Sequence, residues 1–136
     1  MFKKILVPVD LTHIDLGAQM ITQAKEIGGK SAEIILTHVV YDIPAYAAVE
    51  ISGELLGKTH KWAKAELEKL AKDNKVSGPV DLRHGSPGTA ILEAATEHGA
   101  DLIIIGSHKP GVADYFLGST ASRVVRHAQC PVLVLR

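Results

Sequence analysis

The chain has 136 residues, close to half of them apolar, and a formal net charge of zero. That length suits one domain, residues 1–136, with a substantial core, and balanced charge excludes a broad electrostatic grip on nucleic acid or an anionic membrane. No apolar run reaches the roughly 18–20 residues of a membrane span. Cys130 is the only cysteine, which excludes an internal disulfide and points to a reducing compartment. Basic residues precede an apolar run at the start of the chain, but Pro8 and Asp10 interrupt it, so the segment reads as a mature cytoplasmic start.

Lys4 to Val9 predicts a first buried strand, with Pro8 near its end because proline cannot donate to a ladder. Asp10 then falls at the strand's carboxyl end. Thr12 is placed to cap a helix, with Asp15 as its capping-box partner. Ile14, Gly17, Ala18, Ile21, Ala24 and Gly28 recur at helical spacing, and Gly28-Gly29 ends that helix. Ala32 to Val40 predicts a second strand. Tyr41 to Ser52 carries no clean period and reads as a flap or an insert. Gly53 to Lys75 predicts a long amphipathic helix whose stripe is Leu56, Ala63, Leu67 and Leu70, with Trp62 on its flank.

Val80 to His84 alternates, as a strand nearer a sheet edge does. Gly85-Ser86-Pro87 supplies a turn, an N-cap and a first-turn proline, and Ile91, Ala94, Ala95 and His98 carry the next helix. Leu102 to Ile105 is apolar without alternation, which predicts a strand buried on both faces, stopping at Gly106. Ser119 to His127 predicts the last helix, and Pro131 to Leu135 a short strand at a sheet edge.

Strands alternating with helices predict an α/β fold: an open five-stranded parallel sheet with helices on both faces. Ligands of such sheets bind beyond the carboxyl ends of the strands, where strand order reverses. Asp10, Val39 to Tyr41 and Gly106 converge there. The corners Gly106-Ser107 and Gly118-Ser119-Thr120 flank one loop, and the second opens a helix whose free N–H groups suit a phosphate.

Several chemistries are unsupported. The chain lacks the phosphate-loop lysine motif, the dinucleotide glycine fingerprint and the nucleophile elbow. Its seven histidines show no metal-ligand spacing backed by cysteines or carboxylates, which argues against a metal site. His38, inside an apolar strand, reads as a satisfied core group, and His60, His84 and His98 as surface or helix-end groups. Ser107-His108 lacks a third, orienting group and is not read as a catalytic pair. Asp10 serves either as a helix-entry residue or as a ligand contact. Gly118-Ser119-Thr120 is either an ordinary cap or a phosphate seat. Lys109 is either solvated or neutralises phosphate.

The Gly106-to-Thr120 stretch resembles the nucleotide loop of the universal stress protein family. That family's signature is a glycine, two residues, a second glycine, nine residues, then glycine followed by serine or threonine. Gly106 and Gly118-Ser119 match it. Lys109 replaces the second glycine, and the spacing to Gly118 is one residue shorter. Gly106-Ser107-His108-Lys109-Pro110 is similar to the variant loop of the small single-domain branch found in enterobacteria. The likeness spans the chain, including the Lys3-to-Asp10 opening, Thr37-His38-Val39, and Val124 to Val134.

The resemblance implies a cytoplasmic, homodimeric stress-response module binding ATP or another adenine nucleotide, with or without Mg²⁺, and no nucleic acid or membrane. It implies that Pro8, Val9 and Asp10 border base and ribose, and that Val39 offers backbone groups to the adenine edge. Ile105, Gly106, Ser107, His108 and Lys109 would follow the ribose and phosphates, and Gly118, Ser119 and Thr120 would bind the phosphates. It implies pairing of Pro131, Val132, Leu133, Val134 and Leu135 with the same strand of a second copy. Hydrolysis would need a positioned water, a base and metal ligands. Asp10 and Asp114 are the nearby carboxylates and neither sits in a motif, so the expectation is binding with slow or absent turnover. Two alternatives stand beside it: a nucleotide-free dimeric interaction protein, and a slow ATPase or autophosphorylating protein with Ser119, Thr120 or His108 as acceptor.

Overall fold

The computed structural model describes residues 1–41, 53–107 and 117–136, with the side chains of 53–56 left out of the description. The expectations for His108, Lys109, Asp114 and the 42–52 stretch lie outside the described residues.

Among the described residues five strands and four α-helices alternate: β1 (Lys4–Pro8), α1 (Ile14–Gly28), β2 (Glu33–Val40), α2 (Gly53–Asp73), β3 (Val80–His84), α3 (Pro87–His98), β4 (Leu102–Gly106), α4 (Ser119–His127) and β5 (Val132–Leu135). All four strand pairs are parallel, in the order β3-β2-β1-β4-β5. The order reverses between β1 and β4, the switch point of a doubly wound sheet.

Strand side chains alternate between faces, so an unbroken apolar strand feeds two cores. Ile5, Val7, Ile34, Leu36, Leu102 and Ile104 pack on one face, against Met20, Ile21 and Ala24 of α1 and Ala63, Leu67 and Leu70 of α2. Leu6, Ile35, Ile103 and Ile105 pack on the other, against Ile91, Ala94 and Ala95 of α3 and Ala121 and Val124 of α4. This is why the central strands read as continuous hydrophobic runs. At their amino ends the Asp101 carboxylate accepts the Lys3 and Lys4 amides at 2.8 and 3.0 Å, tying β4 to the start of β1.

Helix α1 departs from the predicted cap. Its N-cap residue is His13, and no side chain caps it. The Thr12 hydroxyl instead donates to Asp10 Oδ1, two residues back, at 2.6 Å, a charge-assisted bond that holds this side chain on the strand end and not on the first turn. The helix ends as predicted, with Gly29 at a positive φ of 67°. One residue of the apolar set predicted for α1 faces outward: Ile14 is exposed.

Candidate functional site

The two central strands part company towards their carboxyl ends. β1 pairs with β2 over five residues, from Lys4↔Glu33 to Pro8↔Thr37. It pairs with β4 at only Ile5↔Leu102 and Leu6↔Ile103. Beyond Leu6 and Ile103 the β1–β4 ladder stops, which leaves a gap in the pairing at the switch point. Ile103 and Ser107 donate their amides to Pro131 and Leu135 of the β5 side, at 3.0 and 2.9 Å. By alternation, Ile104 and Gly106 turn their peptide edges towards β1, so the Gly106 edge faces the gap.

On the β1 side of the gap, Pro8 and Val9 are buried. The Val9 amide donates to the Thr37 carbonyl at 2.8 Å. The Val9 carbonyl sits 2.9 Å from His38 Nδ1. A carbonyl can only accept, so His38 carries a proton on Nδ1, and this histidine is the satisfied group expected. Asp10 follows at the mouth, with more than half of its side chain exposed. Its Oδ1 accepts from the Thr12 amide and hydroxyl, at 2.9 and 2.6 Å, and its Oδ2 lies 3.1 Å from His13 Nδ1. Partial burial alone would raise the Asp10 carboxyl, but the Thr12 bonds and His13 outweigh it and hold the pKa below the ordinary value. The group is therefore an anion at neutral pH, with one acceptor position of Oδ2 left for a donor.

On the β4 side, the two glycine corners meet. The Gly118 amide donates to Ser107 Oγ at 3.0 Å, which joins the end of β4 to the start of α4. Gly118 is the N-cap of α4 and brings no side chain to satisfy the first turn, which leaves the N–H groups of Ser119 and Thr120 without an intrahelical acceptor. Val39 and Leu117 are half-buried over the same apolar cluster as Ile105 and Ala121. Leu117 thus sets apolar surface beside these amides, and Val39 adds to it from β2.

Gly106 has a packing role that its sequence position does not reveal. A Cβ there would lie 2.7 Å from Leu16 Cδ2, so the missing side chain lets α1 close on the sheet. The described residues hold no cluster of three or more His, Cys, Asp or Glu side chains suited to a metal ion. No described helix is long and apolar enough to cross a membrane.

The model of the universal stress protein family matches residues 1–136. The chain belongs to that family. A universal stress protein of Methanocaldococcus jannaschii is 34% identical over 144 residues, covering all of this chain and 83% of that one. Universal stress protein G of Shigella flexneri is 29% identical over 143 residues, and each chain is covered in full. Among solved structures, hypothetical protein MJ0577 superposes with a TM-score of 0.80 at 32% identity, over 99% of this chain and 96% of that one. The fold recurs in a universal stress protein solved with cAMP, at 22% identity, 99% and 97% coverage and a TM-score of 0.64. It recurs in an Archaeoglobus fulgidus universal stress protein solved with dAMP, at 18% identity, 98% coverage of both chains and a TM-score of 0.63.

Sequence reasoning missed two side-chain constellations. Asp81 of β3 takes hydrogen bonds from His98 Nε2 at 2.7 Å and Arg83 Nε at 2.9 Å, and Arg83 also pairs with Glu97. His60 and His84 meet through their ring nitrogens. Neither has a sequence signal, because β3, α2 and α3 bring the partners together from unrelated positions.

Proposed function

We propose that this family member is a stress-response module that binds an adenine nucleotide in the cleft between β1 and β4. The observation that carries the reading is the Gly118–Ser107 bond, which holds the start of α4, capped by no described side chain, against the end of β4. A helix start with free amides and no capping side chain is a seat for phosphate. Ser107 and Gly118 have already committed their amides, to Leu135 and Ser107. The phosphate donors are then the amides and hydroxyls of Ser119 and Thr120, with the Gly106 edge beside them. Val39 and Ile105 face the base, and Asp10 Oδ2 accepts a ribose hydroxyl, with Pro8 and Val9 behind it. The same phosphate role is proposed for His108 and Lys109, which lie outside the described residues. Two proteins of this fold solved with cAMP and dAMP support the choice of an adenine nucleotide.

The donor set fits a phosphate tail: it is neutral or positive, and its dipole points the right way. A nucleotide bound there supplies phosphate charge and a phosphoanhydride. The described residues answer with binding and orientation, and no described general base stands beside the helix start. Mg²⁺ would travel on the phosphates, since Asp10 Oδ1 is already doubly bonded. Turnover is slow or absent, and the module acts in the cytoplasm through its bound state. Calorimetric titration of the purified chain with ATP and AMP tests this. Binding with a raised melting temperature is expected, and absence of affinity for either nucleotide overturns it.

We also propose a homodimer through β5, built on Pro131 to Leu135. β5 is an edge strand. Pro131 and Leu135 turn their carbonyls to β4, so Val132 and Val134 present theirs, with their amides, at the open edge. A second copy pairing there would close the edge about a two-fold axis.

A further inference from the structure

His60 lies on α2, and His84 is the last residue of β3, paired in register with Val40 on the sheet's outer side. His60 Nδ1 and His84 Nε2 are 3.0 Å apart. The ring centres are 5.1 Å apart and the ring planes differ by 7°. Those distances put both nitrogens close to the line between the ring centres, so the two nitrogens face each other across the space between the rings. Neither ring belongs to either apolar cluster; His60 is half-buried and His84 exposed. Packing therefore does not require the pair, and an exposed hydrogen bond between two imidazole rings adds little stability.

We propose that His60 and His84 form a two-imidazole site for a late first-row divalent ion, Cu²⁺, Ni²⁺ or Zn²⁺. Metal–nitrogen bonds of about 2.0–2.1 Å in tetrahedral geometry place two ligand nitrogens about 3.3 Å apart. The observed separation is only a few tenths of an ångström shorter, and both rings, neither of them buried, turn to aim their nitrogens at an ion beside the line that joins them. Imidazole favours these ions over Mg²⁺ and Ca²⁺, which prefer oxygen, and the affinity order places Cu²⁺ first. Water fills the remaining positions, so the site is open on one side. Bound metal joins α2 to the edge strand β3 and stabilises the folded chain by mass action. The site is separate from the β1–β4 cleft and does not depend on nucleotide binding.

The test is titration of the untagged full chain with Ni²⁺ at neutral pH, read by calorimetry and by thermal unfolding. One ion per chain and a rise in melting temperature are expected, with Mg²⁺ giving neither. His60→Ala and His84→Ala each weaken Ni²⁺ binding at least about tenfold, while His127→Ala binds as the native chain does. Circular dichroism of each metal-free variant verifies that it is folded. Folded single variants that bind Ni²⁺ as tightly as the native chain overturn the proposal, since other groups then hold the ion. A native chain that takes up no Ni²⁺ also overturns it, leaving the pair as two rings sharing one proton.

Discussion

Gly118→Ala separates the two jobs a glycine can have at the start of α4. The backbone there has φ −58° and ψ 156°, which any L-residue adopts. Among the described residues a Cβ would meet only Ser107 Oγ, at 3.9 Å, an ordinary contact. Alanine stabilises by about 0.4–1 kcal/mol through the unfolded chain. It loses a similar amount, roughly 0.5–1 kcal/mol, because alanine is a poorer N-cap than glycine. The two effects nearly cancel, so the ligand-free melting temperature should stay within about 2 °C of the native one. ATP affinity should behave differently. If phosphate approaches the first turn of α4, the new methyl stands where it must pass, and affinity falls tenfold or more, about 1.4 kcal/mol. Differential scanning fluorimetry without ligand and calorimetry with ATP measure the two quantities on one sample. A ligand-free melting temperature lower by several degrees would refute the packing argument. Unchanged ATP affinity would refute the phosphate seat at Gly118.

Gly106→Ala should show the opposite pattern, since its Cβ would lie 2.7 Å from Leu16 Cδ2 and 3.5 Å from Met20 Sδ. Overpacking of this kind costs about 1–3 kcal/mol, visible as a lower urea midpoint in ligand-free protein; a native midpoint would mean that Leu16 yields freely. Val134→Pro removes an amide from the open edge of β5 without breaking the ladder to β4, so sedimentation should report monomers of native stability, and persisting dimers would place the interface elsewhere. Burial alone would raise the Asp81 carboxyl, but the bonds from His98 and Arg83 outweigh it and depress its pKa. A depressed carboxylate contributes stability that is present above the ordinary value of about 3.9 and lost as pH falls through its folded value. Asp81→Asn should therefore lower neutral-pH stability by about 1–3 kcal/mol and flatten the acid limb of the urea midpoint–pH curve; an acid limb as steep as the native one would exclude Asp81 as its source.

The fold was legible because its determinants are local and periodic. Ile5-Leu6-Val7 and Leu102 to Ile105 have apolar residues at both parities, a demand met only by strands covered on two faces. Gly29, Ser86 and Pro87 mark helix ends through backbone conformation, which a single residue type can signal. The cap of α1 was misread for a related reason: Thr12 and Asp10 both offer cap chemistry, and only geometry decides that the carboxylate captures the hydroxyl. The candidate site was half legible. Strand ends at Asp10, Val39 and Gly106 follow from topology, but which amides remain free depends on pairings made by other elements. Ser107 illustrates the point. Its amide goes to β5 and its hydroxyl accepts from Gly118, so one small residue links the helix start to the edge strand. Nothing in the spacing of residues 106–120 distinguishes that arrangement from one in which Ser107 faces the ligand. The same limit explains His60 and His84, 24 positions apart: their encounter is set by where α2 crosses the end of β3, a distance that no periodicity along the chain encodes.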